Sequence, residues 1–221
     1  EILSNYGRIF SKTVLPSYSS KISNICNNVM KSKGIILIYS MYIEGGVIPI
    51  ALALEELGFT RYSSSSLSKP LFKEPPTDPI DSIHMKPKKD LKNIKFRPAQ
   101  YVLVTGDVNF SHNNAEDMKM VTNPNNLDGS QIKVVIISKA ASEGLDFKNI
   151  RQVHIMEPWY NLNRIEQIIG RGVRNLSHCS LPFEERNVEI YMYAMNVLEE
   201  KEKRIEPADM YLYRLAEKKA K

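Results

Sequence analysis

The stretch "GIILIYSMYIEGGVIPIALALEELGF", residues 34 to 59, contains a long apolar run, two glycines and a second apolar segment. Its first half contains "IILIYSMY", a nearly unbroken apolar run of strand length, which is typical of a strand buried on both faces. Two glycines follow, and the apolar residues of "VIPIALALEEL" then recur at the spacing of one helical face until Gly58. A buried strand, a glycine turn and a helix together predict a βα unit.

Further elements of the same kind extend in both directions from this unit. Four more strands are predicted at "YVLVTG" (101–106), "IKVVIIS" (132–138), "RQVHIME" (151–157) and "VEIYMYAM" (188–195). Helices are predicted near residues 22–30, in "NNAEDMKMVT" (113–122), around "QIIGRGVR" (167–174) and at the end of the chain. Strands that alternate with helices imply an α/β fold with a mainly parallel sheet and helices on both faces.

The segment from Ser63 to Pro98 differs in composition from the rest of the chain. It begins with "SSSS" and holds six of the twelve prolines. Proline fixes φ and removes a backbone donor, so we expect no helix or sheet strand in it. Lys86, Lys88 and Lys89 could contact a phosphate backbone, and a solvated charge run is the alternative. We therefore expect one domain, residues 1–221, with a surface insertion at about 63–98.

The composition restricts the class of protein. The 221 residues are 43% hydrophobic, which is enough for one sizeable core. The two cysteines have no local partner and the four histidines are scattered without an HExxH pattern, so we expect no metal site. No apolar run approaches the roughly 20 residues that span a bilayer, which predicts a soluble intracellular protein with no membrane partner.

The first residue is Glu1 and not Met, so we expect a piece of a longer protein. A formal charge of +5 suits nucleic acid, although many ordinary basic proteins share it.

The octapeptide "QIIGRGVR", residues 167 to 174, combines apolar residues with two arginines and two glycines. On a helix, Gln167, Arg171 and Arg174 would share one face, while the opposite face, which includes Val173, would pack on the sheet. Glycine inside a helix costs about 1 kcal/mol relative to alanine, so the two glycines need a reason. Close approach of a triphosphate would supply one, since the arginine fork suits phosphate oxygens. A solvated basic helix face that tolerates glycine is the alternative.

The stretch "SKAASEGLDF", residues 138 to 147, directly follows a predicted buried strand. In parallel sheets ligands bind outside the carboxyl ends of the strands, so a binding loop is expected at this place. Backbone N–H groups around Gly144 could contact a phosphate, and Asp146 could accept a hydrogen bond from a ribose hydroxyl. An ordinary turn with an acidic helix cap is the alternative.

Three stretches of the chain resemble known motifs. "SKAASEGLD" resembles motif V of superfamily 2 helicases and translocases, "QIIGRGVR" resembles their motif VI, Q-x-x-G-R-x-x-R, and "GIILIYSMY" resembles their motif IV strand. The wider run from Glu143 to Tyr193 is similar to the second motor lobe of the ATPases of large nucleocytoplasmic DNA viruses. These ATPases include the poxvirus small early transcription factor subunit and nucleoside triphosphatase I. The resemblance covers roughly residues 18–219, apart from the insertion.

The resemblance implies a RecA-like C-terminal lobe that closes on ATP. In this assignment Arg171 and Arg174 are arginine fingers on the γ-phosphate, and Gln167 helps to orient that end of the site. The other positions that would touch the nucleotide are Gly144, Asp146 and Gly170. The positions that would lie near the nucleic-acid backbone are Ser40, Thr105, Gly106 and Ser138.

Two motifs of such enzymes are absent from the sequence, which has no G-x-x-x-x-G-K-[ST] and no Asp-Glu dipeptide. We therefore expect ATP and Mg2+ to be held mainly by an N-terminal RecA-like lobe of the same protein, and this chain alone to be inactive. The expected partner is DNA or RNA, with viral transcription machinery and a location in the virion or host cytoplasm implied by the viral resemblance. Three functions stay open: a helicase, a transcription ATPase that translocates on duplex without unwinding it, and a non-enzymatic basic nucleic-acid-binding module.

Overall fold

The computed structural model describes residues 5–66, 69–140, 146–196 and 206–220. Within these ranges the chain forms one sheet of six strands in the order β2-β3-β4-β1-β5-β6, and every neighbouring pair is parallel. The strands are β1 Ile35–Ser40, β2 Thr60–Arg61, β3 Gln100–Val104, β4 Val134–Ser138, β5 Ile150–Ile155 and β6 Glu189–Met192. The predicted α/β fold is confirmed, and β2 is the strand that the sequence analysis did not predict.

Helices cover both faces of the sheet, as predicted. They are α1 Leu15–Tyr18, α2 Ser20–Lys31, α3 Ile48–Glu56, α4 Asn114–Val121, α5 Leu162–Gly172 and α6 Ala208–Ala220. Apolar residues of α2 and α3 share a core with Ile36 and Ile38 of β1, and those of α4 and α5 share a second core with Ile35 and Leu37. Side chains alternate along a strand, so successive residues of β1 supply the two cores in turn.

All six residues of β1 are buried, because β4 and β5 flank this strand and helices cover both of its faces. This burial explains the unbroken apolar run in the sequence. The last residue of β1, Ser40, pairs in register with Ser138, the last residue of β4. Tyr39 likewise pairs with Ile155, the last residue of β5. The carboxyl ends of the three central strands therefore lie side by side.

The connection from β1 to α3 is a single π-helical turn, Ile43–Val47. A side-chain carbon on Gly46 would overlap the hydroxyl of Ser40, so this position requires glycine. At the other end of α3, Gly58 has a φ of +96°, a conformation that L-residues with a side chain rarely adopt. The glycines therefore mark the two turns that bound α3.

The segment at 63–98 is not wholly at the surface, which the sequence analysis did not predict. Ile80 is only 4% exposed and joins the core beside α2 and α3. Asp81 is also buried, and its carboxylate accepts hydrogen bonds from three backbone N–H groups of the segment. Backbone groups that no helix or strand pairs need other partners. A buried carboxylate supplies them in this segment.

Glu55 of α3 fixes the start of the same segment. Its two carboxylate oxygens accept hydrogen bonds from the backbone N–H groups of Leu71 and Phe72, each at 2.9 Å. The Tyr101 hydroxyl of β3 donates to the same carboxylate at 2.6 Å. The segment is thus attached to α3 and β3 by buried acidic side chains, for which proline-rich composition gives no signal.

Candidate functional site

The structure brings the four predicted nucleic-acid residues to one edge of the sheet. Ser40 and Ser138 end adjacent strands, and Thr105 directly follows β3. A side-chain carbon on Gly106 would lie 2.5 Å from the Cβ of Ala140, so the turns after β3 and β4 are in close contact. This edge is where parallel α/β sheets bind ligands.

Two of these four residues, Ser40 and Thr105, have buried hydroxyl groups. The Ser40 hydroxyl is fully buried and lies 3.0 Å from the Tyr42 carbonyl and 2.9 Å from Glu157 Oε1. The Thr105 hydroxyl donates to the Asp107 carbonyl at 3.0 Å, and Thr105 is 1% exposed. These side chains fix the turns at the edge, and neither hydroxyl is presented to solvent.

Ser138 differs from both of them. It is 2% exposed, and its hydroxyl has no hydrogen-bond partner among the residues that the structure describes. It lines an open cavity of about 450 Å³ together with two cationic side chains, Lys139 and Arg164. The sequence analysis assigned no role to Lys139 or Arg164.

Glu157 joins the ends of β1 and β5. Its Oε2 accepts a hydrogen bond from the backbone N–H of Met41 at 2.9 Å, and its Oε1 lies against the Ser40 hydroxyl. Burial raises the pKa of Glu157 above its usual range, while these hydrogen bonds oppose the shift. The carboxyl group thus links the end of β1 to the residues that follow β5.

An aromatic pair follows β5 at the same edge. The ring centroids of Trp159 and Tyr160 are 4.5 Å apart. The ammonium of Lys139 lies 5.0 Å from the Trp159 ring centre, and that of Lys219, on α6, lies 5.2 Å from the Tyr160 ring centre. Aromatic faces beside cations are suited to stacking on nucleic-acid bases, and packing at a strand end is the simpler role.

The predicted motif VI residues lie at the C-terminal end of α5, but they do not share one helical face. The helix ends at Gly172, so Arg174 follows it, and the backbone N–H of Arg174 donates to the Ser177 hydroxyl at 3.3 Å. Val173 is 44% exposed and does not pack on the sheet. The expected i, i+4, i+7 arrangement is therefore wrong for Arg174 and Val173, whereas Gln167 and Arg171 are both on the helix.

The two glycines of this helix have different environments. A side-chain carbon on Gly172 would lie 2.9 Å from Val153 Cγ2 and 3.4 Å from Ile150 Cγ2, so close packing on β5 explains this glycine. A side-chain carbon on Gly170 would meet no atom of the described residues within 4 Å. Only Gly170 therefore keeps the open space that the sequence analysis expected at both glycines.

Arg174 forms an ion pair with Asp146, the predicted nucleotide-binding residue of motif V. Arg174 Nη1 lies 3.2 Å from Asp146 Oδ1, with the two side chains 49% and 59% exposed. Gln167 is exposed and Arg171 is half-buried. Gly144 lies outside the described residues. The structure thus brings Asp146 of motif V and Arg174 of motif VI together near the C-terminal end of α5, whereas Ser138, the first residue of motif V, ends β4.

The side chains at this end of α5 are chemically suited to phosphate. Arg171 and Arg174 offer planar guanidinium groups, and Gly170 leaves space beside them. Within the described ranges, no group of three or more histidine, cysteine, aspartate or glutamate residues is placed to hold a metal ion. No helix in those ranges is long and apolar enough to cross a bilayer.

Comparison with known proteins identifies the relatives of this chain. Residues 82–175 match the family described as helicase conserved C-terminal domain. The chain is 30% identical over 201 residues to protein L538 of Acanthamoeba polyphaga mimivirus, which is named as an ATP-dependent RNA helicase, and the match covers 91% of this chain and 34% of L538. It is 32% identical over 188 residues to a termination factor NPH-I homolog of African swine fever virus, with coverage of 79% and 26%. The chain therefore spans about a third or less of the length of these relatives.

A solved structure supports the same relationship at the level of fold. The C-terminal part of the Fun30 ATPase domain matches with a TM-score of 0.53 and 12% identity, covering 96% of this chain and 47% of the other. The RecA-like fold and the resemblance to superfamily 2 helicase C-terminal domains, both predicted from the motifs, are confirmed.

Proposed function

We propose that this chain is the C-terminal motor lobe of a viral superfamily 2 ATP-dependent helicase or translocase. It would close on ATP and Mg2+ that are held mainly by an N-terminal RecA-like lobe of the same protein. Arg171 and Arg174 would act as arginine fingers on the γ-phosphate, Gln167 would help to orient that end of the site, and Gly144, Asp146 and Gly170 would contact the nucleotide. By this proposal the chain alone does not hydrolyse ATP.

The observation that carries this proposal is the exposed ion pair between Arg174 and Asp146. An arginine whose task was only structural would be expected to bury its packing surface or to hydrogen-bond backbone carbonyls. Arg174 instead remains 49% exposed and is held by a carboxylate from motif V. A carboxylate that contacts one Nη orients the guanidinium and leaves its other N–H donors for a phosphate.

Charge at the phosphate explains why arginine is suited to this position. Bound ATP supplies the transferring γ-phosphoryl group, whose negative charge spreads over its oxygens during transfer. The guanidinium groups of Arg171 and Arg174 would bind those oxygens in a bidentate manner, and lysine cannot reproduce this fork. Asp146 would hold Arg174 in place until the partner lobe closes.

Nucleic acid is the proposed second ligand, at the edge that carries Ser138 and Gly106. The net charge of +5 and the basic side chains at this edge suit a phosphate backbone of DNA or RNA. The similarity to an NPH-I termination factor homolog favours a second candidate, a transcription ATPase that translocates on duplex without unwinding it. That candidate would add viral transcription machinery as a partner.

The test compares turnover with binding in the full-length protein. Arg171→Lys and Arg174→Ala should reduce the nucleic-acid-stimulated ATPase rate far more than the affinity for nucleotide, because the arginines act on charge that develops in the transition state. If both variants keep near-normal turnover and lose nucleic-acid binding instead, the arginines are phosphodiester contacts of a non-enzymatic binding module.

A further inference from the structure

We propose that Arg164 is a further nucleic-acid-binding residue of this chain, which together with Ser138 and Lys139 holds one backbone phosphate of the bound strand. This inference rests on the proposed function. It adds a residue that lies three positions before "QIIGRGVR", outside the motifs that carry the resemblance.

The fold places Arg164 at the carboxyl edge of the sheet. It lies in the first turn of α5, which starts shortly after the end of β5. Its Nε donates to the Tyr39 hydroxyl at 3.3 Å, and its Nη2 donates to the Lys139 carbonyl at 3.4 Å. These contacts with β1 and with the turn after β4 hold the guanidinium in the wall of the 450 Å³ cavity.

The Ser138 hydroxyl supplies an independent indication of a ligand. A buried hydroxyl without a partner is unfavourable unless a bound molecule pairs with it. Ser138 is such a case within the described residues, although Ser40, its register partner on β1, has its own hydroxyl hydrogen-bonded. Ser138 and Arg164 line the same cavity, so we infer that one phosphate group bound there would contact both side chains.

The charge and shape of the cavity identify the class of ligand. The described residues that line it are Met41, Ile43, Ser138, Lys139, Ala140 and Arg164. Two of them are cations and none is a carboxylate, so the cavity favours an anion. The apolar residues of this lining, Met41, Ile43 and Ala140, suit the carbon atoms of a sugar. A phosphate with its attached sugar fits this combination better than a free inorganic ion.

The surroundings of Lys139 point to a polymer. Its ammonium lies 5.0 Å from the Trp159 ring centre, beside Tyr160. Bases of a strand whose phosphate is held by Arg164 would therefore have aromatic faces within reach. Arg174 and Asp146, which we assign to the nucleotide, lie at the other end of α5 and leave this cavity for nucleic acid.

The experiment measures binding of the full-length protein to fluorescent oligothymidine and oligouridine strands of about 20 nucleotides over a series of salt concentrations. Arg164→Ala should weaken binding on the order of tenfold at low salt and reduce the slope of log K against log salt by about one. Ser138→Ala should weaken binding by roughly threefold while leaving the melting temperature unchanged or higher, because it removes a buried unpaired hydroxyl. The control Lys119→Ala removes an exposed cation on α4 and should leave the affinity and the slope unchanged.

Four results would overturn the inference. Unchanged affinity and slope in Arg164→Ala and Ser138→Ala, with the unmodified protein binding normally, would contradict it and leave the motor proposal intact. A lower melting temperature with unchanged affinity in Ser138→Ala would show that the hydroxyl is structural. If Arg164→Ala does not fold, the affinity and melting temperature of Ser138→Ala test the inference. Displacement of the strand by inorganic phosphate at constant ionic strength would assign the cavity to free phosphate. If the unmodified protein binds neither strand, the proposed function fails as well.

Discussion

Arg164 and Arg174 lie at opposite ends of α5, one against the carboxyl ends of the strands and the other beyond the last residue of the helix. Along the helix axis Arg164 lies about 12 Å from Gly172, the last residue of α5, and Arg174 follows two residues later. Arg164 contacts Tyr39 and Lys139, whereas Arg174 pairs with Asp146. One helix therefore connects a proposed nucleic-acid contact to a proposed nucleotide contact.

The paired glycines of α5 give a first prediction. Gly172→Ala should destabilise the fold by about 1–3 kcal/mol, because its new carbon would press on Val153. Gly170→Ala, the matched control for stability, should be neutral or stabilising by up to about 1 kcal/mol, since it fills open space on a helix. Urea denaturation of both variants measures the difference. Equal destabilisation by the two changes would contradict the packing described for Gly172.

Gly170→Ala also tests the space beside the arginines. If that space receives the nucleotide, the variant should keep its stability and lose ATPase turnover in the full-length protein. Retention of normal turnover would show that the space is not used in catalysis.

The buried carboxylate of Asp81 gives a prediction for the proline-rich segment. Asp81→Ala should destabilise the fold by about 2 kcal/mol, because it leaves three backbone N–H groups without their partner. Asp78→Ala is the control, because the Asp78 side chain is 75% exposed and makes one long ion pair, at 3.8 Å, with Lys89 Nζ. Thermal unfolding measures both. A loss in Asp81→Ala no larger than that in the control would mean that the segment is not attached as described.

The same carboxylate predicts the response to acid. Burial raises the pKa of Asp81, but hydrogen bonds from His84, Arg97 and Ile83 outweigh it, so the pKa is lower than its usual value. A lowered folded-state pKa means that Asp81 stabilises the fold fully above the unfolded pKa of about 3.9, and that this contribution is lost as the pH falls further. Below about pH 4, the unfolding free energy of Asp81→Ala should therefore fall less steeply with decreasing pH than that of the unmodified protein.

Buried His154 predicts a second pH dependence at higher pH. Burial lowers the pKa of His154 to about 4, and its ring nitrogens contact the Tyr193 hydroxyl and the Gln152 side chain. The unfolded chain, with a pKa of about 6.5, binds this proton more readily, so stability should fall by about 2 kcal/mol from pH 7 to pH 5. His154→Gln should flatten this slope, whereas replacing the exposed His112 with Gln should not. An unchanged slope in His154→Gln would contradict the assignment.

Binding of oligonucleotides by the isolated chain should be weak, largely independent of sequence and strongly salt-dependent, because the expected contacts are to backbone phosphates. A titration from low to moderate salt measures this. An affinity that barely changes over that range would argue against a phosphate-binding edge.

Five of the six strands could be predicted from the sequence, because the burial of a strand produces a local apolar pattern. The apolar run of β1 reports burial on both faces, and Ser138 directly follows a similar run. Strand β2, Thr60–Arg61, has two residues and is too short for such a pattern.

Other features depend on contacts that are distant in sequence. Helix α5 ends where Gly172 meets β5, so the position of Arg174 could not be predicted from helical spacing alone. The attachment of the segment at 63–98 depends on Glu55 and Asp81, whose partners are backbone groups with no sequence signature. The location of Arg164 could have been predicted from one signal. A helix that follows a parallel strand starts at the carboxyl edge of the sheet, so a residue in its first turn lies at that edge.

We propose that Arg174 acts on the transferring phosphoryl group. The most direct test is the turnover number of Arg174→Ala in the full-length protein at saturating ATP and nucleic acid, measured beside Arg164→Ala. We predict that Arg174→Ala lowers kcat on the order of 10³ or more with little change in nucleic-acid affinity, and that Arg164→Ala shows the opposite pattern. Near-normal kcat in Arg174→Ala together with lost nucleic-acid binding would contradict the account.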